Sequence, residues 1–125
     1  MNTLFDLDSS TLPEKETQQL GKLEYATNWN GKLDCTSYTT LRLANSSKSK
    51  GRKFAIYLKG KRIHDAEIVD IKTISIDQIN EWIARLDTGY SREKCISVIK
   101  TMYKNKPVDW SQQKLNWILF RKLDY

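Results

Sequence analysis

Between Lys32 and Arg42 the chain gathers an ammonium, four aliphatic hydroxyls (Thr36, Ser37, Thr39, Thr40), the Tyr38 phenol and a guanidinium within eleven residues. Hydroxyls combined with lysine and arginine are the groups that contact phosphate oxygens and base edges. The same hydroxyls also satisfy turns and strand edges, so composition alone leaves both uses open. Position narrows the choice. Arg42 stands between Leu41 and Leu43, and the period-two rule of a strand points it away from both and onto the face of Thr40. Thr40 and Arg42 are therefore the leading ligand-facing pair.

Positive charge is concentrated next to that pair. The chain of 125 residues carries a net charge of +6, and residues 21–62 alone hold ten Lys and Arg against Glu24 and Asp34. Residues 1–20 are acidic, and residues 63–125 are nearly balanced. The excess falls in two turns, one with Lys48, Lys50, Arg52 and Lys53, the other with Lys59, Lys61 and Arg62. A block of this kind suits a polyanionic partner, RNA first and DNA second, unless it is simply a solvated loop. Trp29, Tyr38, Tyr57, Tyr90 and Trp110 are candidate faces on which unpaired bases could stack, Tyr90 being the one assigned to the interface.

Other chemistries find little support. The single histidine, His64, next to Asp65, makes no metal site, and Gly51 and Gly60 stand alone instead of forming a phosphate-binding glycine loop. No cofactor or metal is expected. Two cysteines give neither a disulfide framework nor a metal cluster, and Cys95 reads as a small buried thiol. No run approaches the roughly 20 apolar residues that span a bilayer, and the acidic start lacks a secretory apolar core. The expectation is a reduced, cytoplasmic protein with no membrane partner.

Five short strands must carry these residues, at about 23–28, 38–43, 54–58, 65–71 and 115–120. Alternation in 65–71 marks a half-buried strand bearing Glu67 and Asp70, whose plainest role is to face solvent. Ser75 and Gln78 form a Ser-x-x-Gln capping box, and Ile76, Ile79, Ile83 and Leu86 then recur at helical spacing. The spacing predicts a helix over about 76–86, with Trp82 in the core. Gly89 suits a left-handed C-cap, and Ser91 caps a second helix with the stripe Cys95, Ile96, Val98, Ile99, Met102 and Tyr103. Trp117, in the last strand, also reads as core. The fold class is α+β: a strongly curved sheet or open barrel of about five strands with two consecutive helices. Residues 1–21 read as an acidic arm, a docking segment for a protein partner if the chain is an accessory or interaction protein of a mobile element. Residues 22–125 form the domain.

The order of parts resembles the ASCH domain, a branch of the PUA-like superfamily. The matching pieces are Gly31-Lys32, Thr40-Leu41-Arg42, the strand 66–71, the turn Asp87-Thr88-Gly89-Tyr90-Ser91 and the closing strand 115–120. The family pattern is Gly-x-Lys-x-x-Thr-x-Arg; here residues 33–39 separate Lys32 from Thr40, and a second alignment uses Lys32 and Thr36. The resemblance implies a PUA-like barrel and either RNA binding or amidohydrolysis of an N4-acylated cytidine-type nucleoside. For hydrolysis it implies a lysine, a threonine and a carboxylate after the central strand: Lys32, Thr40 or Thr36, and Glu67 or Asp70. Lys32, Thr40 and Glu67 are carried forward as the catalytic set.

Overall fold

The computed structural model describes residues 20–124, so nearly all of the acidic arm expected at the N-terminus lies outside the described residues. The elements are β1 (Gly21–Tyr25), a 3-10 segment (Trp29–Asp34), β2 (Ser37–Leu43), β3 (Lys53–Leu58), β4 (Lys61–Ser75), a 3-10 turn (Ile76–Gln78), α1 (Glu81–Thr88), α2 (Arg92–Met102) and β5 (Lys114–Lys122). The strands form one sheet in the order β1-β3-β4-β5-β2, parallel between β1 and β3 and antiparallel elsewhere.

β4 is the spine. Its fifteen residues pair with β3 through 61–67 and with β5 through 66–75. The register slips between Ile68 and Asp70, leaving Val69 as an exposed bulge, and again between Ile56 and Tyr57 on β3. Bulges sharpen the local twist and bend a long strand. The bent sheet brings its two edges within reach of each other. The Tyr25 hydroxyl on β1 hydrogen-bonds the Thr40 hydroxyl on β2, and Arg42 donates to the Glu24 carbonyl at 2.9 Å. The ladder is open, and side chains bridge the gap.

Inside the curve lie Leu23, Tyr25, Leu33, Tyr38, Phe54, Ile56, Ala66, Ile68, Ile118 and Phe120. The opposite face of β2, β4 and β5 offers Leu41, Ile74 and Leu115 to the helices, which cover them with Ile79, Ile83, Ala84, Cys95 and Ile99. Cys95 is fully buried, as its place on the apolar stripe predicts.

The first helix departs from its expected form. Gln78 Oε1 does accept from Ser75 N–H at 2.8 Å, but the turn it caps is only the 3-10 segment 76–78. Ile79 is extended, and Asn80 then caps α1 by accepting from Ile83 N–H at 2.9 Å. The later start changes which face is buried. Ile83, Ala84, Asp87 and Thr88 turn inward, while Trp82 is 78% exposed and Leu86 56%. Trp82 is thus not a core residue. Trp117 is half-buried against the second core, with Lys72 Nζ 5.9 Å from its ring. Gly89 takes the expected left-handed C-cap (φ +82°), and Ser91 caps α2.

Candidate functional site

The 3-10 segment that follows β1 carries Lys32. It contains Asn30 and Gly31, both at positive φ (58° and 62°), a backbone that glycine and asparagine adopt most readily. The Asn30 amide donates to the Arg85 carbonyl at 3.3 Å, and its side chain lies 3.0 Å from where a Gly89 Cβ would stand. That contact seats the segment on the C-terminal end of α1. As a result Lys32, only 4% exposed, meets Asp87, only 5% exposed, with Nζ donating to Oδ1 at 3.1 Å. The Thr39 hydroxyl donates to the same oxygen at 3.2 Å.

Around this pair a cavity of about 70 Å³ is lined by Tyr25, Trp29, Lys32, Thr40, Arg42 and Asp87, with Val98, Ile99 and Met102 of α2 closing the apolar side. Thr40 is buried and bonded to Tyr25. The Arg42 guanidinium lies 4.6 Å from the Tyr25 ring centroid, a cation–π contact that holds it at the rim. Trp29 meets Tyr90 edge to face at 6.0 Å, and Lys94 sits 5.4 Å from the Tyr90 ring.

Burial controls the electrostatics. It pushes the Lys32 ammonium below its ordinary value, an effect Asp87 opposes and Arg42 reinforces. It pushes the Asp87 carboxyl above its ordinary value, against the pull of Lys32 and of the Thr39 hydrogen bond. It also raises the Tyr25 phenol. Both members of the ion pair are therefore drawn toward their neutral forms, which eases proton exchange between them.

The structure brings together Lys32, Thr40 and Arg42 and separates other residues from them. Glu67 pairs with Arg121 of β5 (2.6 Å) and does not line the cleft. The alternation of β4 gives the reason: Glu67 stands opposite Arg121 on the face away from Ile68 and Phe120, which fill the interior. Asp70 accepts from Ile71 N–H, lies 4.0 Å from Lys50, and borders a different depression with Lys72 and Trp117. Thr36 is exposed and gives its carbonyl to Lys122 N–H. The carboxylate at Lys32 is Asp87, and a sequence signal for it exists. It lies four residues after Ile83 on the buried stripe of α1, where an acid needs a buried cation. Spacing in the sequence does not mark Tyr25, which also lines the cleft.

The basic residues divide likewise. Lys48 is half-buried, and burial, reinforced by the charges of Arg42 and Arg52, pushes its ammonium below the ordinary value. Lys50 and Lys53 are exposed. Arg62 is held in a bidentate pair with Asp65 (2.7 Å) at the start of β4, next to Lys61 and the Lys59 turn, at the opposite end of β3 from the 48–53 loop. His64 is half-buried on β4, bonded to the Tyr38 hydroxyl at 2.8 Å. Among the described residues no cluster of His, Cys, Asp or Glu could hold a metal, and no helix is long and apolar enough to cross a membrane.

No family model matches the sequence, and no curated protein matches it. Solved structures do. Protein EF3133 from Enterococcus faecalis V583, assigned to DUF984, superposes with a TM-score of 0.65 at 10% identity over 93% of this chain and 85% of that one. The ASCH domain from Lactobacillus crispatus JV V101 superposes with a TM-score of 0.58 at 12% identity over 91% and 87%. Five strands in one curved, open sheet with two consecutive helices against it, matched to these structures over nine-tenths of its length, give the chain an ASCH-like, PUA-like α+β fold.

Proposed function

We propose that the cleft binds a nucleoside, free or as an unpaired residue of RNA, through Lys32, Thr40, Arg42 and Asp87. One observation carries this reading: four polar groups from three elements converge on a small apolar-walled cavity beside the half-buried Trp29. Such a cavity suits a flat heterocycle, with the apolar wall against its faces and the polar groups at its edge. The lysine and arginine supply donors, the carboxylate an acceptor, and the threonine either. Single-stranded RNA, double-stranded RNA, DNA and free nucleosides, titrated at two salt concentrations with tryptophan fluorescence as readout, test it. Binding of a nucleoside or of unpaired RNA that weakens on Thr40→Val or Arg42→Ala supports it; binding to none of them refutes it.

The buried Lys32–Asp87 pair favours a second reading, hydrolysis of an amide such as N4-acetylcytidine. Neutral Lys32 would take a proton from the attacking water or the Thr40 hydroxyl, and Asp87 would pass a proton to the departing N4 amine. Water is consumed, and acetate and cytidine are released. Chromatography of N4-acetylcytidine incubated with the protein tests this step. Turnover that falls at least about a hundredfold in Lys32→Met and Asp87→Asn supports it; turnover unaffected by either refutes it.

A further inference from the structure

At the mouth of the cleft the chain sets a further aromatic ring, beyond those that line the cavity. Gly89 ends α1 in a left-handed turn (φ +82°), and the Tyr90 N–H that follows donates to the Thr88 hydroxyl at 3.2 Å. The turn carries Tyr90 off the helix and into the gap before Ser91, the cap of α2. Trp29 comes to meet it because its neighbour Asn30 is seated against Gly89 and bonded to the Arg85 carbonyl. The two rings stand 6.0 Å apart at 73°. Trp29 lines the cavity; Tyr90 does not, and it is 38% exposed.

The edge-to-face contact with Trp29 engages at most one face of Tyr90. The Lys94 ammonium sits 5.4 Å from the Tyr90 centroid, on an exposed side chain in the first turn of α2. One helical turn further on, Val98 closes the apolar side of the cavity. A cation over an exposed ring is held less strongly than a base stacked on it. An arriving base therefore displaces the ammonium, which then meets the phosphate next to that base. The cavity, at about 70 Å³, has no room for a second base. The ring spacing of 6.0 Å exceeds the roughly 3.4 Å per nucleotide of a stacked strand and suits neighbouring bases that have been splayed apart. We infer that Tyr90, with Lys94, is a stacking step for the nucleotide next to the one in the cleft, so that the ligand is an unpaired strand of at least two nucleotides and not a free nucleoside. The inference rests on the nucleoside reading above for the first base.

Calorimetric titration tests this step. The probes are N4-acetylcytidine, a trinucleotide with N4-acetylcytidine between two uridines, the same trinucleotide with both flanking residues abasic, and one with only the central residue abasic. Each is titrated into the whole protein, Tyr90→Leu and Tyr90→Phe. The full trinucleotide should bind at least about tenfold more tightly than the nucleoside. Tyr90→Leu should close most of that gap, and Tyr90→Phe, which keeps the ring, should preserve it. Equal affinity for nucleoside and trinucleotide overturns the stacking step while leaving the nucleoside reading intact. A gain as large with abasic flanks comes from phosphates alone and overturns it too. A gap as wide in Tyr90→Leu as in wild type overturns the assignment to Tyr90. Binding of the trinucleotide with the abasic centre that is lost in Tyr90→Leu, with none of the nucleoside, supports the stacking step and overturns the nucleoside reading instead. Binding of no probe overturns both.

Discussion

Replacing Asp87 with Asn removes one charge from a buried pair and leaves the side-chain volume nearly unchanged. Lys32 is then an ammonium in an apolar wall, with neither a carboxylate nor free access to water. Breaking one side of such a pair costs about 3–5 kcal/mol. For a domain of this size that corresponds to a melting temperature lower by about 10–20 °C. The pH dependence is more diagnostic than the loss itself. Unfolded Lys32 keeps its proton to about pH 10.4, whereas the folded residue releases it at lower pH because burial disfavours the charge. Between those two values the unfolded state binds more protons, so stability rises with pH. Asp87 opposes that shift in the wild type, and removing its charge lowers the folded value further and widens the interval. Urea denaturation from pH 6 to pH 9 should show Asp87→Asn regaining stability toward alkaline pH, by at most about 1.4 kcal/mol per pH unit, more steeply than wild type. Adding Lys32→Met should recover much of the loss, because no uncompensated charge remains. A loss below about 1 kcal/mol, or a pH slope equal to wild type, would refute the argument.

Three further substitutions test the scaffold that holds the cleft. Tyr25→Phe removes the hydroxyl that joins β1 to β2 and leaves buried Thr40 short of a partner; a loss of about 1–3 kcal/mol in urea unfolding is expected, and no change would show that the edges do not depend on this bond. Gly89→Ala forces a side chain into φ +82° and against Asn30; it should destabilise by about 1 kcal/mol or more and shift the amide signals of Asn30 and Gly31, with unchanged spectra as the contrary result. Trp82→Ala should alter stability by no more than about 0.5 kcal/mol, since the ring is 78% exposed, whereas a loss of several kcal/mol would restore it to the core.

Strands with strong patterns could be read directly. β2, β3 and β5 fall within two residues of their expected bounds, because β3 and β5 are bulky apolar runs and the β-branched, alternating β2 has no competing helical period. Gly89 and Ser91 mark their helix ends because a left-handed cap and a hydroxyl N-cap are decided by neighbouring backbone alone. α1 was harder. Two caps, Ser75 and Asn80, compete over five residues, and the later one wins once Ile79 and Ile76 are drawn into the core. Starting the helix at Asn80 turns Trp82 outward and Asp87 inward, a rotation invisible without the sheet beneath it. The site was half legible. Thr40 and Arg42 share a face by alternation, and the structure gathers both at the cleft. Lys32 joins them through a local fold, whereas its carboxylate partner lies 55 residues away on a helix. The resemblance to the ASCH domain puts Glu67 or Asp70 forward for that role, whereas strand alternation points both to solvent, and neither lines the cleft.

Chemical-shift mapping tests the central claim most directly: ¹H–¹⁵N spectra of the labelled protein recorded as N4-acetylcytidine is added. Progressive shifts confined to the amides of Glu24, Tyr25, Trp29, Lys32, Thr40, Arg42, Asp87 and Thr88 are expected. Shifts gathered instead around Lys72, Trp117 and Leu119 on the outer face of the sheet, or no shifts at millimolar ligand, would contradict it.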